Sequence, residues 1–452
     1  MRILSTILLA GALSAMSAGA AFSSSGAAVI NYDGATEQAE ESEDSTQQMT
    51  EIEILSDAQI YFDENDLHFP LEDLQDTDDY RAWVDSATTV LKLFPDDPEA
   101  LSYRALGNTH LGRYEAAVDD ALRGICDDLN RPHFEDIVLY IAGIEPGLTE
   151  RKVNDLTAAY MANPDPQNAD GCMVNRLMLR SALCRQHSRN AEAYEAARLA
   201  HELDPRGTDE VLMMSTILLR AGQSDLALKL LEPLYNDEEV EYYEGVLHNY
   251  TLALRNTGRI GKAIEILKKS IEDIPSNADL RLQYASMLAL DGKADEAAEI
   301  FDKAAQEYAE YAIFSPGEGY DIRALEAKIR LAMLLISEGN EADGKVLMQQ
   351  VLDECEQYEV PTGFETTAAG WLGDRATVEK YLKAYGNVAP SSKASAYCLL
   401  GDFPTALKYV KEAFDCYDLC PEAVKYDPNF RKLLSLPEYQ RLAKEFKKPE
   451  MK

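Results

Sequence analysis

Alanines recur in this chain about 34 residues apart: Ala193, Ala227, Ala263 and Ala297 are separated by 34, 36 and 34 positions. Each stands a few residues after a turn-forming residue. A fixed period in the range of about 20–50 residues marks a repeat architecture, and one near 34 suits a helix–turn–helix unit. Such a unit cannot bury its apolar face alone, so neighbours must stack and share one continuous core. The period therefore dictates an all-α array whose output is a surface.

The helical units can be read one by one. Trp83, Ala87, Val90 and Leu91 fall on one stripe of a helix expected over 79–94, which Pro95 stops. A second unit pairs Ala100–Ala105 with Leu111-Gly112-Arg113-Tyr114-Glu115-Ala116-Ala117. Turn glycines then recur at 112, 222, 258, 292, 339 and 401, and the alanines that follow stand at 117, 193, 227, 263, 297 and 406. Small residues return later in the second helix (Ala200, Ala304, Ala413), and Pro95, Pro205 and Pro275 close units. Small side chains are required where two tightly joined helices cross closely. Glycine is required where the first helix ends in a left-handed conformation.

This pattern resembles the tetratricopeptide repeat (TPR) family, most clearly at Ala193-Tyr194-Glu195-Ala196-Ala197-Arg198-Leu199-Ala200-His201-Glu202-Leu203-Asp204-Pro205. The resemblance covers roughly residues 79–415 and implies a right-handed α-solenoid of about eight to nine TPR-like hairpins. Residues 126–165 and 305–390 are degenerate, with a helix expected near 149–162. In the second stretch Gly344 replaces the usual alanine, and Pro316 and Pro361 interrupt. The segment 416–452, with Tyr426-Asp427-Pro428-Asn429-Phe430 and Leu436-Pro437-Glu438-Tyr439, is similar to the end-of-group segment that closes many bacterial TPR arrays. Arg441, Lys444, Lys447 and Lys448 suit the polar outer face of a terminal cap.

The amino end reads differently. Arg2, the apolar run Ile3–Met16 and Ala18-Gly19-Ala20 form a secretory signal, so residues 1–20 are expected to be cleaved and the mature chain exported. The periplasm is the expected site, with the cell surface or exterior as the alternative. No Cys stands at the cleavage point for a lipid anchor, and no later apolar run is long enough for a transmembrane segment. Residues 21–55 are an acidic leader expected to be disordered, and 56–98 an N-terminal cap with the first half-repeat. Between residues 3 and 80 there is no Lys or Arg, while 17 Asp and Glu fall between 21 and 80. The formal charge of −36 argues against nucleic acid and anionic lipid as partners. Export permits disulfides among Cys126, Cys172, Cys184, Cys355, Cys398, Cys416 and Cys420, of which Cys416 and Cys420 are closest in sequence. An odd number leaves at least one unpaired in a monomer.

Motifs for chemistry are absent. Residues 339–345 (GNEADGK) match the glycine–lysine core of a phosphate loop, but Val346 stands where Ser or Thr would hold the metal, and the segment lies at a helix-linking turn. No HExxH, GxSxG or GxGxxG occurs, and Asp63-Glu64-Asn65-Asp66 lacks the glycine and distal Glu of a calcium loop. The expectation is a non-enzymatic scaffold without catalytic residues, metal or cofactor.

The register implied by the resemblance puts helix A of each hairpin on the binding groove. Arg185, Arg220 and Arg255 then occupy the last turn of three successive A helices, 35 residues apart, with His248 and Asn249 earlier in the third. A cation there commonly offsets the helix dipole. The alternative role is bidentate capture of an acidic stretch or C-terminal carboxylate of a protein or peptide partner. Tyr235, Tyr242, Tyr243 and Tyr250 form a second cluster, mostly suited to the core. Tyr242 and Tyr243 would be the aromatic patch if the protein instead bound carbohydrate of the cell envelope. Self-assembly, and an enzyme housed in 51–80 or 305–390, are the remaining rivals.

Overall fold

A computed structural model describes residues 71, 79–126, 131–237, 244–274, 277–314, 319–358, 362–384 and 388–451. The signal sequence, the acidic leader and most of the expected N-terminal cap lie outside the described residues. Among the described residues there are twenty-one α-helices and no strand. The chain divides into two compact units, one ending at Phe134 and one running from Glu135 to Lys452.

The smaller unit holds α1 (Tyr80–Leu93), α2 (Pro98–His110) and α3 (Tyr114–Gly124). Asp79 caps α1 by accepting from the Arg81 and Ala82 N–H groups, and Pro95 follows its end. Trp83, Ala87, Val90 and Leu91 are buried, as their spacing requires. Arg104 of α2 pairs with Asp120 of α3 through two bonds of 2.8 and 2.6 Å. Gly124 meets the Phe134 ring so closely that no Cβ would fit.

The larger unit begins within α4 (Arg131–Ile144), which is followed after Glu145 by α5 (Pro146–Ala162). The regular hairpins follow: α6 (Met173–Gln186) with α7 (Asn190–Leu203), and α8 (Thr208–Arg220) with α9 (Ser224–Tyr235). Next come α10 (Glu244–Asn256) with α11 (Ile260–Asp273), and α12 (Ala278–Leu290) with α13 (Ala294–Phe314). The later pairs are α14 (Tyr320–Ser337) with α15 (Glu341–Cys355), α16 (Phe364–Leu372) with α17 (Arg375–Ala384), and α18 (Pro390–Leu399) with α19 (Phe403–Asp415). Two short helices, α20 (Pro421–Tyr426) and α21 (Pro437–Glu445), complete the chain. The fold is an all-α solenoid of TPR-like hairpins, nine among the described residues.

One device joins most hairpins. All six turn glycines singled out in the sequence have positive φ, between 69° and 94°. The N–H after the glycine returns to the carbonyl five residues back: Gln223 to Leu218 at 2.8 Å, Arg259 to Leu254 at 2.8 Å, Lys293 to Leu288 at 2.9 Å. This 6→1 bond satisfies a carbonyl the helix end would orphan and fixes the exit angle. Between α6 and α7 no glycine is present, and Ser188 takes the left-handed conformation at φ 58° while Arg189 bonds to Cys184. The alanines at 117, 193, 227, 263, 297 and 406 are all fully buried at the helix crossing.

The stretch flagged as degenerate is where helix length departs from the repeat. α13 and α14 run to 21 and 18 residues, and α16, α17 and α18 shrink to 9, 10 and 10. The main core spans residues 160–331, and a separate cluster from Ile322 to Ala368 takes over beyond it. Gly344 sits inside α15, where a Cβ would stand 2.5 Å from Ile336 and 2.8 Å from the Ala332 carbonyl. It is a packing glycine at a helix crossing, and Lys345 pairs with Glu341 at 2.7 Å. The phosphate-loop reading therefore has no structural counterpart.

Gly258 has φ +79° with open space around it. Gly258→Ala should therefore cost about 1 kcal/mol through backbone strain alone. Ala263→Leu, which overfills a closed crossing, should cost about 1–3 kcal/mol. The urea midpoint of each variant against wild type measures both.

Candidate functional site

The A helices α8, α10, α12, α14, α16 and α18 pack in a row, each touching the next. Their register brings the expected groove residues onto one face. Asn249 is buried and donates to Ser215 Oγ at 2.9 Å and Thr216 Oγ1 at 3.0 Å, tying α10 to α8. His248 is buried in α10 on the side of Glu326. Burial pushes the Glu326 carboxyl up, but Arg330, Arg323 and His248 outweigh it and hold the group below its usual range. Both residues are therefore internal to the array, not aimed at a partner. Tyr235 and Tyr250 stack at 4.6 Å with Tyr250 buried, as expected of core aromatics. Tyr242 and Tyr243 lie outside the described residues.

The three arginines face the chain's own carboxyl end. After α19, residues 416–431 turn back across the A-helix face. The Asn190 side chain at the start of α7 donates to the Cys416 carbonyl at 3.1 Å. Arg220 donates to Asp418 at 2.7 Å, with Asp418 almost fully buried and also accepting from the Ser391 N–H at 3.0 Å. Arg185 donates to Met213 Sδ at 3.1 Å and lies in the field of both Arg220 and Asp418. Cys420 donates its thiol to the Leu219 carbonyl at 3.4 Å, and its Cβ lies 3.2 Å from where a side chain at Gly222 would begin. Arg255, only 5% exposed, sets its guanidinium over the Tyr426 ring at 5.4 Å. Its Nε and Nη2 donate to Asn256 Oδ1. Further along, Trp371 of α16 donates to Asn429 at 2.9 Å, and Arg431 donates to the Ser337 carbonyl at 3.2 Å.

This arrangement differs from a cap confined to the end of the stack. Residues 416–431 lie on helices some 200 positions earlier, and Gln223, just before α9, donates to the Pro449 carbonyl at 2.6 Å. The basic side chains expected on the outer face of the last helix, Arg441, Lys444, Lys447 and Lys448, are exposed. Asp418, Tyr426 and Asp427 escaped the sequence reading as site residues. The only sign of them was an acidic, aromatic stretch following the last hairpin of an array that carries three aligned arginines.

The electrostatics of the seat are unusual. Burial weighs against the charged form of Arg185 and Arg255 and pulls each down to about 10, so both remain cationic at neutral pH. Burial pushes the Asp427 carboxyl up to about 7, against the Asn429 N–H and the charge of Arg255. Cys184, Cys355, Cys398, Cys416 and Cys420 carry free thiols, so Cys416 and Cys420, the closest pair in sequence, are not bonded to each other. Among the described residues no cluster of three metal-ligating side chains occurs, and no helix is long and apolar enough to cross a membrane.

An all-helical stack with glycine turns and buried crossing alanines defines a tetratricopeptide-type scaffold. Residues 72–130 and 252–312 match the family model for the tetratricopeptide repeat, so these two regions carry that repeat. Among solved structures, the human IFIT1 dimer with m7Gppp-AAAA is similar at a TM-score of 0.41 and 16% identity, covering 79% of this chain and 87% of that one. Yeast Tom70 gives 0.26 and 15%, covering 81% and 86%. Naa15/Naa10 bound to HypK-THB gives 0.28 and 14%, covering 82% and 62%. A comparison with curated protein sequences finds no match.

Asp427 remains protonated in the folded chain at pH values where an unfolded carboxylate, near pKa 4, has already ionised. Its contribution to stability is full below about pH 4 and is lost as pH rises through about 7. Asp427→Asn should therefore lose less thermal stability than wild type between pH 5.5 and pH 8. Melting temperatures of the two proteins across that range provide the check.

Proposed function

We propose that this protein is an exported, non-enzymatic scaffold that binds a protein partner on the A-helix face of α6, α8 and α10. The reading follows from one observation. Arginines on these helices gather around an acidic stretch, Asp418 to Asp427, that includes the short helix α20, within the chain itself. A surface that satisfies Asp418 through a charged hydrogen bond and stacks a cation on Tyr426 has the chemistry to read such a stretch in another protein. Charge-assisted bonds of this kind fix register and partner choice more than raw affinity.

The signal-like residues 1–20 support export, with the periplasm as the proposed site and the cell surface or exterior as the alternative. The net charge of −36 keeps the exterior repulsive toward nucleic acid and anionic lipid. An acidic partner segment would then need the local cationic seat to overcome the repulsion. Its binding should weaken as salt rises.

Two measurements test this reading. The intact mass of protein purified from the source cell's envelope should correspond to a chain beginning at Ala21. Crosslinking capture from that fraction, with residues 21–452 as bait, should recover a protein that is lost when Arg220 and Arg255 are both changed to Ala. Equal recovery with both baits would remove the arginines from partner recognition.

A further inference from the structure

The C-terminal residues 416–451 touch the array through a series of polar groups. Val424, Phe430, Leu433 and Tyr439 form a core with α18 and α19 that is separate from the core of α6–α13. Between the two lie the Arg220–Asp418 pair, the Asn190 and Gln223 amide bonds, the Cys420 thiol bond and the Arg255–Tyr426 stack. Met451 packs on the array core, and Cys420 and Phe446 lie beside Gly222. Permanent interfaces resemble a domain core cut in half, whereas interfaces that open are smaller and more polar. A buried ion pair also adds more to specificity than to stability, because desolvation offsets most of its attraction. The contact therefore has the character of a bound ligand and not of a continuous core.

Resting on the partner-binding role above, we propose that residues 416–431 act as a tethered competitor. They hold the A-helix face of α6, α8 and α10 until a partner protein's acidic segment, with a short helix like α20 after its carboxylate, displaces them. The chain's own segment specifies what the partner presents. A carboxylate must reach Arg220 in the field of Arg185, as Asp418 does. Two residues on, a small side chain must pass over Gly222, where Cys420 now lies. Eight residues after the carboxylate, an aromatic ring must lie under Arg255, as Tyr426 does. Tethering sets the competition: apparent affinity for a partner segment falls by the fraction of molecules in which the face is free.

The probe is a labelled synthetic peptide with the sequence of residues 416–431, added to full-length protein under reducing conditions and followed by fluorescence anisotropy. Asp418→Ala with Tyr426→Ala in the full chain removes the two anchors from the tethered segment and leaves the arginines in place. This double variant should bind the peptide at least about tenfold more tightly than wild type. Adding Arg220→Ala and Arg255→Ala should abolish the gain. Hydrogen exchange accompanies each measurement: amides of 419–431 should lose protection in the double variant while those of α11 keep theirs.

The other outcomes separate the two ideas. Equal peptide binding by wild type and double variant would leave the groove reading intact and overturn the competition. Exposed 419–431 amides with no peptide binding would overturn the groove reading itself. Unchanged protection of 419–431 in the double variant would make the segment a fixed part of the fold and end the proposal. A concentration-dependent dimer of wild type, seen by sedimentation, would make a second copy the occupant and overturn the partner assignment.

Discussion

Close approach of two helices at a buried alanine, held by a left-handed turn residue, is the constraint on which the rest of this structure depends. The alanine lets the backbones come near enough for larger neighbours such as Ile217, Leu218, Leu254 and Leu267 to interlock across hairpins. The 6→1 hydrogen bond at the turn sets the angle at which the second helix leaves. Because the same geometry recurs, successive A helices fall into a row, and residues 35 positions apart arrive on one face. The arginine alignment is thus a consequence of the turn and the crossing, repeated.

Where helix length changes, the regular packing changes with it. The long pair α13 and α14 ends the continuous core, and the short helices α16 to α18 build smaller clusters of their own. The short helices also bring Trp371 and Ser391 within hydrogen-bonding distance of the returning C-terminal stretch. The irregular part of the array and the stretch that folds back are therefore linked physically.

Charge is distributed by the same logic. Many cations of this acidic chain are committed to partners within it: Arg104 to Asp120, Arg281 to Glu307, Arg330 to Glu326 and Arg220 to Asp418. Pairs at the surface contribute little to stability, but half-buried ones such as Arg104–Asp120 fix how two helices meet. The carboxylates in excess of these pairs leave an exterior that repels polyanions. The proposed recognition of an acidic segment falls at the place where arginines are gathered and partly dried.

Much of this was written in the sequence, because its determinants are local. Gly222, Gly258 and Gly292 announce left-handed turns, Ala227, Ala263 and Ala297 announce helix crossings, and their spacing announces the stack. The register that aligns Arg185, Arg220 and Arg255 follows from the same period. Their occupant did not, and neither did the burial of His248 and Asn249 within the array. Asp418 lies 198 residues from Arg220, and their meeting depends on the summed rotation of every hairpin between them, including the irregular ones. Periodicity specifies each step of a solenoid, but only the folded chain shows where the accumulated steps lead. Here they return the carboxyl end to the face that the repeat had prepared.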